Sequence, residues 1–198
     1  MTYPSFFTQI PTITVHDGLA QLLGANSDGL IEYSYTDAVK AAGHSCPTVA
    51  GAWLMTVTAL KQLYGNDTPE RGGIEVSFRQ AAADGTTGVV ATVVSLITGA
   101  ATEGGFKGLR GQHVRSNLMR FNQAIDGEIR FTRQDNNEHV DVSFDASIVP
   151  AEPEMFKQLM TALDDVDSET SRAFANNWQD RVRRLFDEAN NPQLVIIH

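Results

Sequence analysis

Only one cysteine, Cys46, occurs in the 198 residues, so no disulfide within the chain can staple the fold and stability does not call for an oxidising compartment. Long apolar runs are missing too, since no stretch approaches the ~18 consecutive apolar residues of a membrane span. Basic residues are scarce: 15 Lys and Arg face 24 Asp and Glu, and the formal charge of −9 opposes contact with a phosphate backbone. Neither nucleic acid nor membrane is therefore an expected partner. The opening MTYPSFFTQIPTITVHDG has no Lys or Arg ahead of an apolar core and does not read as a secretory leader, so a cytoplasmic location is expected. What is present is ordinary for a globular chain: 42% hydrophobic and 20% charged residues, enough to bury a core.

The pattern of elements predicts an α+β fold. TVHDGLAQLLGA reads as a short helix closed by Gly24, GLIEYSYT as a strand and TDAVKAA as a second short helix. From Pro47 the apolar positions Ala50, Trp53, Leu54, Val57, Leu60 and Tyr64 keep helical spacing, with proline at the first helical position and Gly65 just past the end. Val49, Ala52 and Met55 widen the apolar face nearly all the way round, which predicts an interior helix. GGIEVSFRQ and TTGVVATVVSLITG, joined through Asp84-Gly85, read as a β-hairpin, and GEIRFTRQ with EHVDVSFD as a second one with a wet face. PEMFKQLMTALDD and SETSRAFANNWQDRVRRLFDEAN read as helices, and PQLVIIH as an edge strand or a docking tail. This gives a core domain over residues 1–150 and a helical extension over 151–198 packed on it, with a homodimer expected from the apolar tail and the striped last helix.

Chemistry concentrates in GHSCP, where His44 stands two residues from Cys46 at the mouth of the interior helix. A thiolate and a neutral imidazole form a donor pair for zinc and also suit iron, nickel or copper. Alternate side chains of an extended segment point the same way, so both can reach one ion. With the helix starting at Pro47, Cys46 takes the N-cap position, where unpaired N–H groups and the helix dipole favour an anion. Two other chemistries use the same residues: haem ligated through the Cys46 thiolate, and a Cys46 nucleophile served by His44 or His113 as base. A capped turn with a buried free cysteine is the plain structural alternative. The glycine-rich GGFKGLRG, with Lys107 and Arg110, has the composition of an anion-cradling turn for a small molecule.

DAVKAAGHSCPTVAGAWLMTVTALKQL resembles the signature of the formylmethanofuran dehydrogenase E-subunit family (FmdE-like), with Gly43, His44, Cys46, Pro47 and Gly51 on its pattern. ITGAATEGGFKG is similar to that family's Thr-Gly-x-Thr-x-Gly segment through Thr98, Gly99, Thr102 and Gly104, so the resemblance covers about residues 37–120. It implies a mixed or mainly antiparallel sheet packed against a buried central helix, with additional C-terminal helices, and a transition metal, zinc above all, near the His-x-Cys turn. Gly99, Thr102 and Gly104 of that segment, with Lys107 of the glycine-rich turn, are the candidate cofactor-binding positions. Ala42 stands where the family has its first histidine, EVSFRQAAADG has no cysteine, and the cysteine-rich ribbon of longer members is missing. A metal held by His44 and Cys46 therefore calls on other ligands, for which His113 and His16 are the candidates.

Overall fold

A computed structural model of the chain describes residues 3–198. Its centre is helix α3 (Pro47–Tyr64), which carries Pro47 in its first turn and ends at Gly65, whose φ of 58° reverses the chain. Every residue from Val49 to Thr56 is buried, as the nearly continuous apolar face predicts. Before it come strand β1 (Ile13–His16), helix α1 (Gly18–Leu22), strand β2 (Leu30–Tyr33) and helix α2 (Tyr35–Ala42); β1 and β2 form an antiparallel ribbon. After it come β3 (Ile74–Phe78), α4 (Thr87–Thr98), β4 (Met119–Arg120), β5 (Ile129–Arg133), β6 (His139–Phe144), α5 (Met155–Asp164), α6 (Glu169–Asp187) and β7 (Val195–Ile197).

The main sheet has the order β4-β3-β5-β6-β7, antiparallel throughout except for the parallel β3–β4 pair. Its inner face aligns Val76, Phe131 and Val140 in one cross-strand row and Phe78, Ile129 and Val142 in another. These side chains are buried and join the α3 residues in one hydrophobic core. The outer face carries polar side chains, as alternation predicts, and there Arg130 holds the buried Asp141 through bonds of 2.6 and 2.8 Å. The tail adds edge strand β7, and Val182 and Leu185 of α6 enter the same core. This is the α+β architecture expected from the sequence: a mixed, mainly antiparallel sheet on a buried central helix, with C-terminal helices added. No helix of the described residues is long and apolar enough to cross a membrane.

Two expectations fail. TTGVVATVVSLITG is not the second arm of a hairpin but helix α4, and β3 pairs with β4 and β5 instead. Its β-branched residues favour a strand locally, yet the buried Thr87, Ala91, Val94 and Thr98 recur at helical spacing, and packing against α2 and α3 overrides propensity. The segment TVHDGLAQLLGA also divides: Thr14–His16 belong to β1, and the helix begins only after Asp17, whose carboxylate caps Leu19 and Ala20.

Gly51 shows how tightly α3 lies on the sheet. A Cβ there would come within 2.5 Å of the Phe144 ring, so only glycine lets the helix approach β6 this closely. Gly51→Leu is expected to lower the unfolding free energy by roughly 1–3 kcal/mol through overpacking. Urea denaturation checks this, and adding Phe144→Ala is expected to recover part of the loss; a neutral Gly51→Leu would contradict the close approach.

Candidate functional site

His44 and Cys46 do converge. The imidazole Nε2 lies 3.2 Å from the Cys46 sulfur, and Nδ1 is 3.0 Å from the carbonyl oxygen of Ala42. A carbonyl only accepts, so Nδ1 carries the proton of that bond, and in a neutral ring Nε2 then turns its lone pair toward sulfur. Cys46 is the N-cap of α3, and its sulfur accepts a hydrogen bond from the Val49 N–H at 3.4 Å. The sulfur side is buried while His44 is exposed, so one donor is fixed by the core and the other faces solvent.

The residue between them points the other way, as the extended backbone at Cys46 (φ −154°, ψ 170°) requires. Ser45 faces helix α6 and Tyr35. Its carbonyl accepts from the indole N–H of Trp178 and from the amide of Gln179, both at 3.1 Å. Its hydroxyl donates to Gln179 Oε1 at 2.9 Å and lies 3.0 Å from the Tyr35 hydroxyl. The Ser45 hydroxyl gives its proton to Gln179, so Tyr35 is the donor in that pair; burial pushes the Tyr35 phenol well above its usual range, against the opposing hydrogen bond with Ser45. Sequence reasoning missed these partners: Trp178 falls with Phe174, Val182, Leu185 and Ala189 on the apolar stripe of the last helix, which signals packing and not a bond to a distant turn, and Gln179 carries no signal.

The other two candidate histidines, His16 and His113, gather elsewhere. His16 Nδ1 lies 2.5 Å from Glu70, which also receives the Gly18 N–H at 3.4 Å. The hydrogen bond to Glu70, and then its charge, raise the His16 pKa above its ordinary value despite some desolvation. His113 packs against the same turn: a Cβ on Gly18 would sit 3.1 Å from His113 Cε1 and 3.5 Å from Glu70 Oε1. Glu70 lies in the segment that follows Tyr64, the last residue of α3, whereas Cys46 caps the first turn. A helix of that length spans about 27 Å. His16 and His113 therefore belong to the opposite end of α3 from His44 and Cys46. Among the described residues, no three His, Cys, Asp or Glu side chains are placed to hold one ion.

The glycine-rich loop has a structural task of its own. Gly99, at φ 73°, is the left-handed cap of α4, and it abuts the side chains of Arg71 and Arg115. Thr102 gives its carbonyl to the N–H groups of Gly105 and Asn117, Gly104 is exposed, and Lys107 is exposed on the outer turn. Gly72, in the segment between α3 and β3, makes room for Arg115 from the other side: a Cβ there would fall on its guanidinium. Arg115 and Arg71 each reach the buried Asp17 carboxylate at 2.8 Å, one to each oxygen, while Arg115 Nε is buried and has no partner among the described residues. Burial alone would raise the Asp17 pKa, but the hydrogen bond from Arg71, the Ala20 N–H and the two positive charges hold it below the usual carboxylate range.

No protein-family model and no curated protein matches the chain.

Away from the His-x-Cys turn, a groove of about 760 Å³ opens between the N-terminal segment, α3 and β7, walled by Phe6, Ile10, Trp53, Leu54 and Val57. Cys46 does not line it.

The pH dependence of the Asp17 cluster has a definite sign. A carboxylate depressed in the folded state contributes stability that is complete above its unfolded value, ~3.9, and that is lost as pH falls through the folded one. Asp17→Asn is expected to cost roughly 3–5 kcal/mol at neutral pH, the range for breaking a buried ion pair. Urea unfolding of both proteins from pH 7 to pH 2 checks this: the difference should shrink only on the acid side, and a difference constant over the whole range would contradict it.

Proposed function

We propose that the chain binds a transition metal, zinc or a similar borderline ion, through His44 Nε2 and Cys46 Sγ. The observation that carries this reading is their convergence at 3.2 Å with the far imidazole nitrogen tied to the Ala42 carbonyl. Two donors on one tetrahedral zinc, at ~2.0 and ~2.3 Å from it, stand about 3.5 Å apart, so only a small opening of the pair admits the ion. A second nitrogen bonded to a backbone carbonyl is the usual support for a metal-ligating histidine, since it fixes the tautomer and the ring plane. The resemblance of GHSCP and the following helix to the formylmethanofuran dehydrogenase E-subunit signature points the same way.

Two protein donors leave coordination positions for water or a small molecule on the solvent side, where His44 is exposed. When bound there, such an ion supplies Lewis acidity and lowers the pKa of a water it holds. The chain's own part is to keep the sulfur at the helix N-terminus, where the Val49 N–H stabilises negative charge, and to keep the imidazole lone pair aimed at the same point. His16, His113 and the loop of Gly99, Thr102, Gly104 and Lys107 have no part in this reading.

The same geometry favours one second reading, a cysteine nucleophile with His44 as its base, because Nε2 is within hydrogen-bonding distance of sulfur. Cobalt(II) titration of protein purified without added metal separates the two. One equivalent with a sulfur-to-cobalt charge-transfer band is expected, the band abolished in Cys46→Ala and the affinity weakened in His44→Ala. No band, together with rapid iodoacetamide labelling of Cys46 that slows in His44→Ala, would replace metal binding with thiol chemistry.

A further inference from the structure

The His-x-Cys turn has two faces, and the one turned away from the donors is the more heavily bonded. Ser45 has its carbonyl and its hydroxyl engaged by the single side chain of Gln179, in bonds of 3.1 and 2.9 Å. The Trp178 indole adds a second donor to the carbonyl, and Tyr35 adds a donor to the hydroxyl. The hydrogen-bond directions agree around the circuit: Tyr35 donates to Ser45, the Ser45 hydroxyl donates to Gln179 Oε1, and the Gln179 amide returns a donor to the Ser45 carbonyl. An amide side chain is suited to this, since it presents an acceptor and a donor side by side.

We propose that Gln179 and Trp178 of helix α6 are positioning residues for the metal-binding pair, holding Ser45 so that His44 and Cys46 project to a common point. This rests on the metal reading above and adds to it a role for the C-terminal helix. In an extended segment, fixing the middle residue fixes the direction of its two neighbours, because alternate side chains share a face. Cys46 has further anchors in Pro47 and the Val49 N–H, whereas exposed His44 is held, apart from its contact with the sulfur, by the Ala42 carbonyl. A freed Ser45 therefore lets the turn rotate about Cys46 and takes the imidazole away from the sulfur. The anchoring helix is held independently, through Val182 and Leu185 in the core and through Arg181, which donates to the carbonyls of Val149 and Ala146. The clamp is thus a contact between two separately secured elements, and its loss leaves α6 in place.

The test is cobalt(II) titration of the full chain, following the sulfur-to-cobalt charge-transfer band, in wild type, Gln179→Ala, Trp178→Phe and Arg183→Ala. Gln179→Ala is expected to weaken binding roughly 10- to 100-fold, the range for removing an outer support of a metal ligand, and Trp178→Phe to weaken it less. Both should retain far-UV circular dichroism. Arg183→Ala, which removes exposed ion pairs to Asp180 and Asp187 on the same helix, serves as the control for a general loosening of α6 and should bind as wild type. In metal-free protein, the imidazole of Gln179→Ala should lose its through-space NMR contact with the Cys46 β-protons. Wild-type affinity in both clamp variants, or equal weakening in Arg183→Ala, would overturn the positioning role while leaving the metal reading intact. A wild-type chain without the cobalt band would overturn the metal reading itself, and this inference with it.

Discussion

Helix α3 is apolar on almost every side, and the remaining architecture follows from the need to cover it. The sheet lies on one flank through β6, with Gly51 letting helix and strand close to contact; α4, α2 and α6 cover the others. A helix so enclosed has only its two ends free for polar chemistry. At the first turn stands Cys46, whose sulfur takes the place of a capping hydroxyl; beyond the last turn lies the segment that carries Glu70, Arg71 and Gly72.

Both ends are finished by polar groups from distant parts of the chain, but in different ways. Beyond the last turn, Asp17 lies between two arginines, and the glycines at 72 and 99 make room for their guanidinium groups. Removing one partner there leaves uncompensated buried charge, so this cluster ties the β1–β2 ribbon to the body of the fold. At the first turn the bonds to Ser45 are neutral, and the neighbouring imidazole stays in solvent. Charge is enclosed at one end of the helix, and at the other a buried sulfur meets an imidazole that faces solvent.

The sequence made the helix, its cap and its donor pair legible because each signal is local: proline in the first turn, apolar residues at 3.6-residue spacing, and two donors two positions apart. The second hairpin was legible for the same reason, through the alternation of Ile129–Arg133 and His139–Phe144. Helix α4 was not, because Val89, Val90, Val93 and Val94 carry strand propensity and only the layers around them decide otherwise. Nor was the grouping of His16 with Glu70, or of Asp17 with Arg71 and Arg115, since these join residues 54 and 98 positions apart. Ser45 meets Trp178 and Gln179 across more than 130 positions, and neither residue type announces such a bond. Gly99 carried a second task that composition does not announce: a residue read as part of a candidate ligand-binding turn also ends a helix and makes room for arginines.

X-ray absorption at the metal edge of the zinc-loaded chain tests the central claim most directly, because it reads the donor atoms themselves. One sulfur at about 2.3 Å together with imidazole nitrogen at about 2.0 Å is the predicted shell. A shell of oxygen and nitrogen alone, with no sulfur scatterer, would contradict it.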